Sequence, residues 1–201
     1  MQNIAHKIIG LTGPIGAGKD QVAKVLKKCG ALVVDVDKLA HTLYYPQSPL
    51  WVDLFRVFGS KILKRGGEIN RKKLGEIVFA DKIKLQQLNR IVHPALKEAV
   101  IRELESHACR QAGSKPLIVV NAAVLKEIGL VDLVDEVWLV TASKEKRWKR
   151  LIKSGLSKEN ALRRINAQAS QKDYLKIADL VIKNDGTIKE LNEKVRAGIK
   201  L

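Results

Sequence analysis

Aromatic side chains are scarce. Three Trp, three Tyr and three Phe in 201 residues make 4% of the chain, too few for the stacking surface that single-stranded nucleic acid requires. Cysteine is scarcer still. Cys29 and Cys109 stand alone, with no C-x-x-C pairing, which excludes a disulfide framework and predicts two reduced, packed thiols in a cytoplasmic protein. The four histidines, His6, His41, His93 and His107, lack zinc-ligand spacing. No stretch reaches the roughly 18 uncharged apolar residues of a membrane span. The first apolar run, at Ile8, leads into glycines rather than a cleavage site, so no membrane association is expected.

Acidic residues are also short in supply. Asp and Glu number 21 against 37 Lys and Arg, a net charge of +16. The excess is local: residues 61–102 carry a balance of +7 and residues 141–172 one of +8. A hydrophobic content of 46% excludes a disordered polycation. Two basic segments on a folded chain call for a polyanionic partner at those segments, not over the whole surface.

Five apolar runs recur, at 8–11, 32–34, 117–120, 137–140 and 180–182, each bounded by polar residues or glycine. They read as strands covered on both faces. Between the first two, Val22, Val25, Leu26 and Cys29 fall at helical spacing and Gly30 stops the helix. Strand, helix and strand within some 30 residues form a βαβ unit, which implies a parallel sheet and an α/β fold. About 80 residues separate the second run from the third, far more than a crossover needs. That gap reads as a helical insertion, with Leu85, Leu88, Val92, Leu96 and Val100 on one amphipathic face. Residues 144–172 read as helical and basic, with Trp148 as helix packing.

The chemistry sits at the first strand–helix junction. Gly13, Pro14, Ile15, Gly16, Ala17, Gly18 and Lys19 fit G-x-x-x-x-G-K. Glycines let backbone N–H groups curl around phosphate, the helix N-terminus adds a favourable dipole, and Lys19 reaches the β- and γ-oxygens of a nucleotide. The next position departs from the pattern. Asp20 stands where a Ser or Thr hydroxyl would ligate Mg²⁺; its carboxylate either serves the metal or favours the first helical turn. A second carboxylate pair, Asp35 and Asp37, closes the second strand, at the sheet edge that shares a crevice with the phosphate loop. A carboxylate there can orient or deprotonate a hydroxyl, and its neighbour can hold Mg²⁺. The third run ends in Asn121 instead of an acid, which suits a small-molecule kinase better than a motor ATPase or a switch GTPase.

These residues and their order resemble the dephospho-coenzyme A kinase family, P-loop kinases of the nucleoside-monophosphate-kinase type. The match runs through residues 11–19, 34–41, 58–59, 67–74 and 78–79, then Leu88-Asn89-Arg90-Ile91-Val92-His93-Pro94. It continues at Ala122–Leu125, Asp135–Val137, Arg150-Leu151, Gln168 and Ala178–Ile182, with Asn184 and Gly186. The resemblance implies a five-stranded parallel sheet flanked by helices, a helical acceptor domain and a mobile lid. Residues 1–43, 116–140 and 173–201 would form the core, 44–115 the acceptor domain and 141–172 the lid.

It implies ATP-dependent phosphorylation of the ribose 3′-hydroxyl of dephospho-CoA, with Mg²⁺ beside ATP and no nucleic acid or obligate protein partner. Lys19 and the loop would bind ATP, with the Asn184–Gly186 turn flanking the adenine. Asp20 and Asp35 would place Mg²⁺, Asp37 would act on the hydroxyl, and Arg150, with Lys149 or Lys153, would close over the phosphoryl group. Thr12, His41, Arg71 and His93 would serve the acceptor, although His93-Pro94 also reads as a helix start with Pro at its first position. The chain departs from the family's pattern at Asp20, at Pro14 (usually Gly), at Asn121 (usually acidic), at Lys126 (usually aromatic) and in a lid one residue shorter before Gly155. A related kinase with a nucleoside monophosphate as acceptor, or a basic nucleic-acid-binding P-loop protein, are the other readings of the same residues.

Overall fold

The computed structural model describes residues 7–110, 117–168 and 170–200, the side chains of 108–110 and 171 excepted. It comprises two units, residues 1–35 with 107–201, and residues 36–106.

The first unit is built on β1 (Ile8–Thr12), β2 (Leu32–Asp35), β3 (Ile118–Asn121), β4 (Glu136–Thr141) and β5 (Leu180–Lys183). They form one parallel sheet in the order β2-β3-β1-β4-β5. The three inner strands are the Val- and Ile-rich runs whose residues lie almost wholly out of solvent, as a sheet packed on both faces demands. The edges depart from the expectation of full cover: Leu32 and Val33 are half-buried, and Val181 is exposed. An edge strand has a neighbour on one side only, so its outer flank stays wet.

Helix α1 (Lys19–Lys28) lays Val22, Ala23, Val25 and Leu26 on the sheet. It ends at Gly30, whose φ of 93° lets Gly30 N–H bond the Lys27 carbonyl and Ala31 N–H the Leu26 carbonyl. Cys29 caps this helix and is exposed, a correction to the packed thiol expected from helical spacing. Its position completes the last turn, where the apolar stripe has already left the sheet. The Cys109 side chain lies outside the described residues.

In the second unit lie α2 (Val36–Thr42), α3 (Pro49–Phe58), α4 (Arg71–Phe79) and most of α5 (Lys82–Arg110). Its separate core gathers Leu50, Leu54, Phe58, Ile62, Leu74, Val78 and Val92, with Leu85 and Leu88 packed against it. Pro94 lies inside α5 and does not start it, so the reading of His93-Pro94 as a helix start is corrected. The apolar stripe continues through Leu96 and Val100, both buried, and outweighs one missing N–H bond.

Back in the first unit, α6 (Lys144–Lys153), α7 (Lys158–Asn166) and α8 (Gln171–Leu175) fill the basic segment. Ser143, Ser157 and Ser170 cap their N-termini. Leu151, Ala161 and Ile165 form a small core there, with Trp148 packed on it.

Helix α9 (Ile188–Ile199) returns to the sheet with Leu191 and Val195 buried. Gly198 lies near its end because a Cβ there would stand 2.9 Å from the Trp138 ring and 2.8 Å from Leu180 Cδ2. Gly198→Ala gains about 1 kcal/mol of helix propensity, but overpacking against a fully buried Trp costs about 1–3 kcal/mol. The net effect expected in chemical denaturation is a lower midpoint.

Candidate active site

Residues 13–18 link β1 to α1 in a loop that brings its backbone within contact of its surroundings on several sides. A Cβ at Gly13 (φ 144°) would stand 2.2 Å from the Val140 carbonyl oxygen, and one at Gly18 (φ 101°) 2.2 Å from Asn184 Nδ2. Glycine is required at both, for space and for φ.

The loop's carbonyl oxygens are all met from Gly13 to Ala17. Lys19 Nζ donates to Gly13 O at 2.9 Å and Ala17 N–H to Pro14 O at 3.1 Å. Arg147 Nε donates to Ile15 O at 2.8 Å. Arg150 Nη1 donates to Gly16 O at 3.1 Å and Ala17 O at 3.0 Å. Asn184 Nδ2 reaches Ala17 O at 2.7 Å, and Arg150 Nη2 donates to Asn184 O at 2.8 Å. Arg147 and Arg150 fall one turn apart on α6 and so share a face.

The N–H groups are treated differently. Ile15 N–H donates to Gln168 Oε1 at 2.8 Å, and the same oxygen accepts from Arg147 Nη2 at 3.0 Å. Among the described residues no protein acceptor meets the N–H groups of Gly16, Gly18 or Asp20. Donors without acceptors at the start of a helix constitute an anion site. Burial pushes the Arg147 guanidinium's pKa down, opposed by the nearby Tyr174. Burial and the neighbouring Glu127 carboxylate push the Tyr174 phenol up, against the pull of Arg147.

The Asn184–Gly186 turn is tied to this loop by Asn184 and to α6 by Asp185, whose Oδ1 accepts from Ser143 N–H at 2.8 Å. That backbone donor holds the Asp185 carboxyl below the usual carboxylate range. Gly186 faces Glu190, whose Oε2 would lie 1.9 Å from a Cβ there.

Asp20 lies in the first turn of α1 and is exposed. Asn121, 6% exposed at the end of β3, donates from Nδ2 to Asp20 Oδ1 at 3.3 Å, and its own Oδ1 is buried without a partner. Leaving such an oxygen unmet costs about 1–3 kcal/mol. Asp35 sits in register with Asn121, itself in register with Leu11. Thr12 is buried, and its hydroxyl donates to Ala123 O at 3.4 Å.

The structure thus gathers residues 12–20, Arg150, Asn184 and Gly186 in one unit. Asp37, in the first turn of α2, belongs to the other unit, as do His41 at the end of α2, Arg71 at the start of α4 and His93 in mid-α5. Arg71 and His41 are exposed and His93 is half-buried. The Arg71 charge lowers the pKa of Tyr44, which burial raises more. Sequence reasoning named no role for Arg147, Gln168 or Asn121. The i, i+3 spacing of Arg147 and Arg150 was the available signal for the first.

A parallel sheet ordered 2-3-1-4-5, with a glycine loop of this geometry after β1, defines a P-loop kinase. A solved structure from Thermus thermophilus is 32% identical and superposes with a TM-score of 0.80, covering 98% of this chain and 97% of that one. The dephospho-CoA kinase of Campylobacter jejuni, 25% identical, superposes with a TM-score of 0.71 over 98% of this chain and 96% of that one. The curated dephospho-CoA kinase of Dehalococcoides mccartyi is 39% identical over 191 residues, 94% of either chain. The family profile for dephospho-CoA kinase matches residues 7–190. The chain belongs to the dephospho-CoA kinase family.

Gln168→Leu removes the oxygen shared by Ile15 N–H and Arg147, and should weaken ADP binding about tenfold in a calorimetric titration. Gln168→Glu keeps that oxygen and should retain affinity within about threefold.

Proposed function

We propose that the phosphate loop and the groups tied to it carry out the reaction of the family: ATP phosphorylates the ribose 3′-hydroxyl of dephospho-CoA, giving coenzyme A and ADP. The observation that carries the reading is the sorting of the loop's backbone: the carbonyls from Gly13 to Ala17 are met by protein donors, while the N–H groups of Gly16, Gly18 and Asp20 are left for phosphate. Gly13, Pro14, Ile15, Gly16, Ala17, Gly18 and Lys19 form the cradle. Lys19 and the loop amides bind the β- and γ-phosphates, offsetting the charge that builds on the transferring group.

The bond from the γ-phosphorus to the β–γ bridging oxygen breaks as one forms to the 3′-oxygen. Asp37 orients that hydroxyl and accepts its proton. Asn184 and Gly186 line the adenine side. Residues 36–106, with His41, Arg71 and His93, supply the acceptor side together with Thr12. Helices α6–α8 serve as a lid, in which Arg150 shapes the loop and reaches the transferring group only by exchanging its carbonyl partners.

Mg²⁺ fits the residues present. The Asp20 carboxylate, held by Asn121 Nδ2, and Asp35, in register with Asn121, are hard oxygen donors. Among the described residues no group of three acidic, His or Cys side chains forms a cage, so the remaining ligands would come from nucleotide phosphates and water. When bound, the ion neutralises phosphate charge and orients the γ-phosphoryl group. No helix among the described residues is long and apolar enough to cross a membrane.

An ADP-release assay with ATP and Mg²⁺ should show turnover with dephospho-CoA and none with AMP, CMP or shikimate; turnover with AMP or CMP alone would reject the reading. Lys19→Ala should abolish the rate, while Asp37→Asn should lower kcat by about 10²–10⁴ with ATP affinity little changed. Chelation of Mg²⁺ should weaken ATP binding steeply, because Asp20 then faces the phosphates as a bare anion.

A further inference from the structure

P-loop nucleotide enzymes hold their Mg²⁺ between the hydroxyl that follows the loop lysine and a carboxylate at a strand end. This chain lacks the hydroxyl and, although Asp35 ends β2, it has no carboxylate at the end of β3, the strand beside β1. Asp20 follows Lys19, and Asn121 ends β3, the strand paired with β1 on the side of β2. Read along the sequence these are two unrelated departures. In the structure they touch, with Asn121 Nδ2 3.3 Å from Asp20 Oδ1.

We propose that Asp20 and Asn121 are one exchanged pair: a metal-serving carboxylate has moved from the end of β3 to the helix start. Asn121 is then the positioning residue that holds it there. The proposal rests on the reading of the loop as a Mg²⁺–nucleotide site, but not on the identity of the acceptor.

Three observations carry it. Asp20 is exposed and Asn121 is 6% exposed. The charge therefore stands where hydration is retained, and the neutral amide occupies the site where a carboxylate would be desolvated. The amide is also oriented by its contact. With Nδ2 donating to the carboxylate, Oδ1 faces away from that anion, and it is a buried acceptor with no partner among the described residues. A buried oxygen of this kind requires a donor, and the described residues supply none. Finally, acids at both positions would place two anions within hydrogen-bond range of each other, which disfavours ionisation of one of them. Of these two touching positions, only one carries a carboxylate.

The test is a two-residue cycle read by ADP binding instead of turnover. The quantity measured is the factor by which saturating Mg²⁺ tightens ADP binding, in wild type, Asp20→Ser, Asn121→Asp and the double variant. Asp20→Ser should lower that factor about tenfold or more. Asn121→Asp, introduced into Asp20→Ser, should return it to within about threefold of wild type. The same substitution in the wild-type background should leave the factor at or below that of wild type, because two acids this close disfavour each other's ionisation.

A double variant that stays at the level of Asp20→Ser, or an Asp20→Ser with an unchanged factor, overturns the proposal. Should the double variant melt below the assay temperature, electron paramagnetic resonance of Mn²⁺ with ADP on Asp20→Ser alone decides. Bound Mn²⁺ must fall relative to wild type, and equal binding overturns the proposal. Failure to phosphorylate dephospho-CoA would leave every arm of this cycle readable.

Discussion

The orientation of five peptide groups decides whether the loop attracts or repels phosphate. A peptide presents either its N–H or its carbonyl to a ligand, and a loop left to itself would present both. Arg147, Arg150 and Asn184 hold the Ile15, Gly16 and Ala17 carbonyls from outside, and Lys19 holds that of Gly13. The sheet, α6 and the turn after β5 all bear on that one arrangement. β4 approaches Gly13 through Val140, and β5 delivers Asn184. Asp185 in turn fastens the start of α6.

The net charge of +16 takes on a divided meaning in this light. Part of the positive charge of α6 acts on the protein's own backbone: two arginines are engaged by carbonyl oxygens. Guanidinium suits this task because its fork of donors spans adjacent peptides, as Arg150 does. Other charges are solvated pairs such as Lys149 with Glu145, which contribute little to stability. A basic segment therefore need not be a count of phosphate contacts.

Much of the fold was legible in the sequence. Glycine loop, β-branched runs and helical spacing each follow local rules, and five strands, α1 with its glycine stop and the long helical insertion were all found where those rules put them. Where local rules failed, tertiary context had reversed them. Pro94 is carried through α5 because the stripe on both sides of it is buried. Cys29 is exposed because the helix leaves the sheet one turn earlier. Gly198 stands in a helix because the Trp138 ring occupies the space a methyl group would need.

The sequence by itself determined that a phosphate-binding loop follows the first strand, since glycine spacing and a lysine at a strand–helix junction encode backbone donors directly. It also determined the family, through an ordered series of short blocks. Only the tertiary structure decided what surrounds the loop. Arg147 and Gln168 meet Ile15 from 132 and 153 residues away along the chain, and Asp20 meets Asn121 across 101. Contacts at such separations obey no local periodicity. They are set by strand order and by the face each helix turns to the sheet, so a side chain's partner becomes known only when the chain is folded.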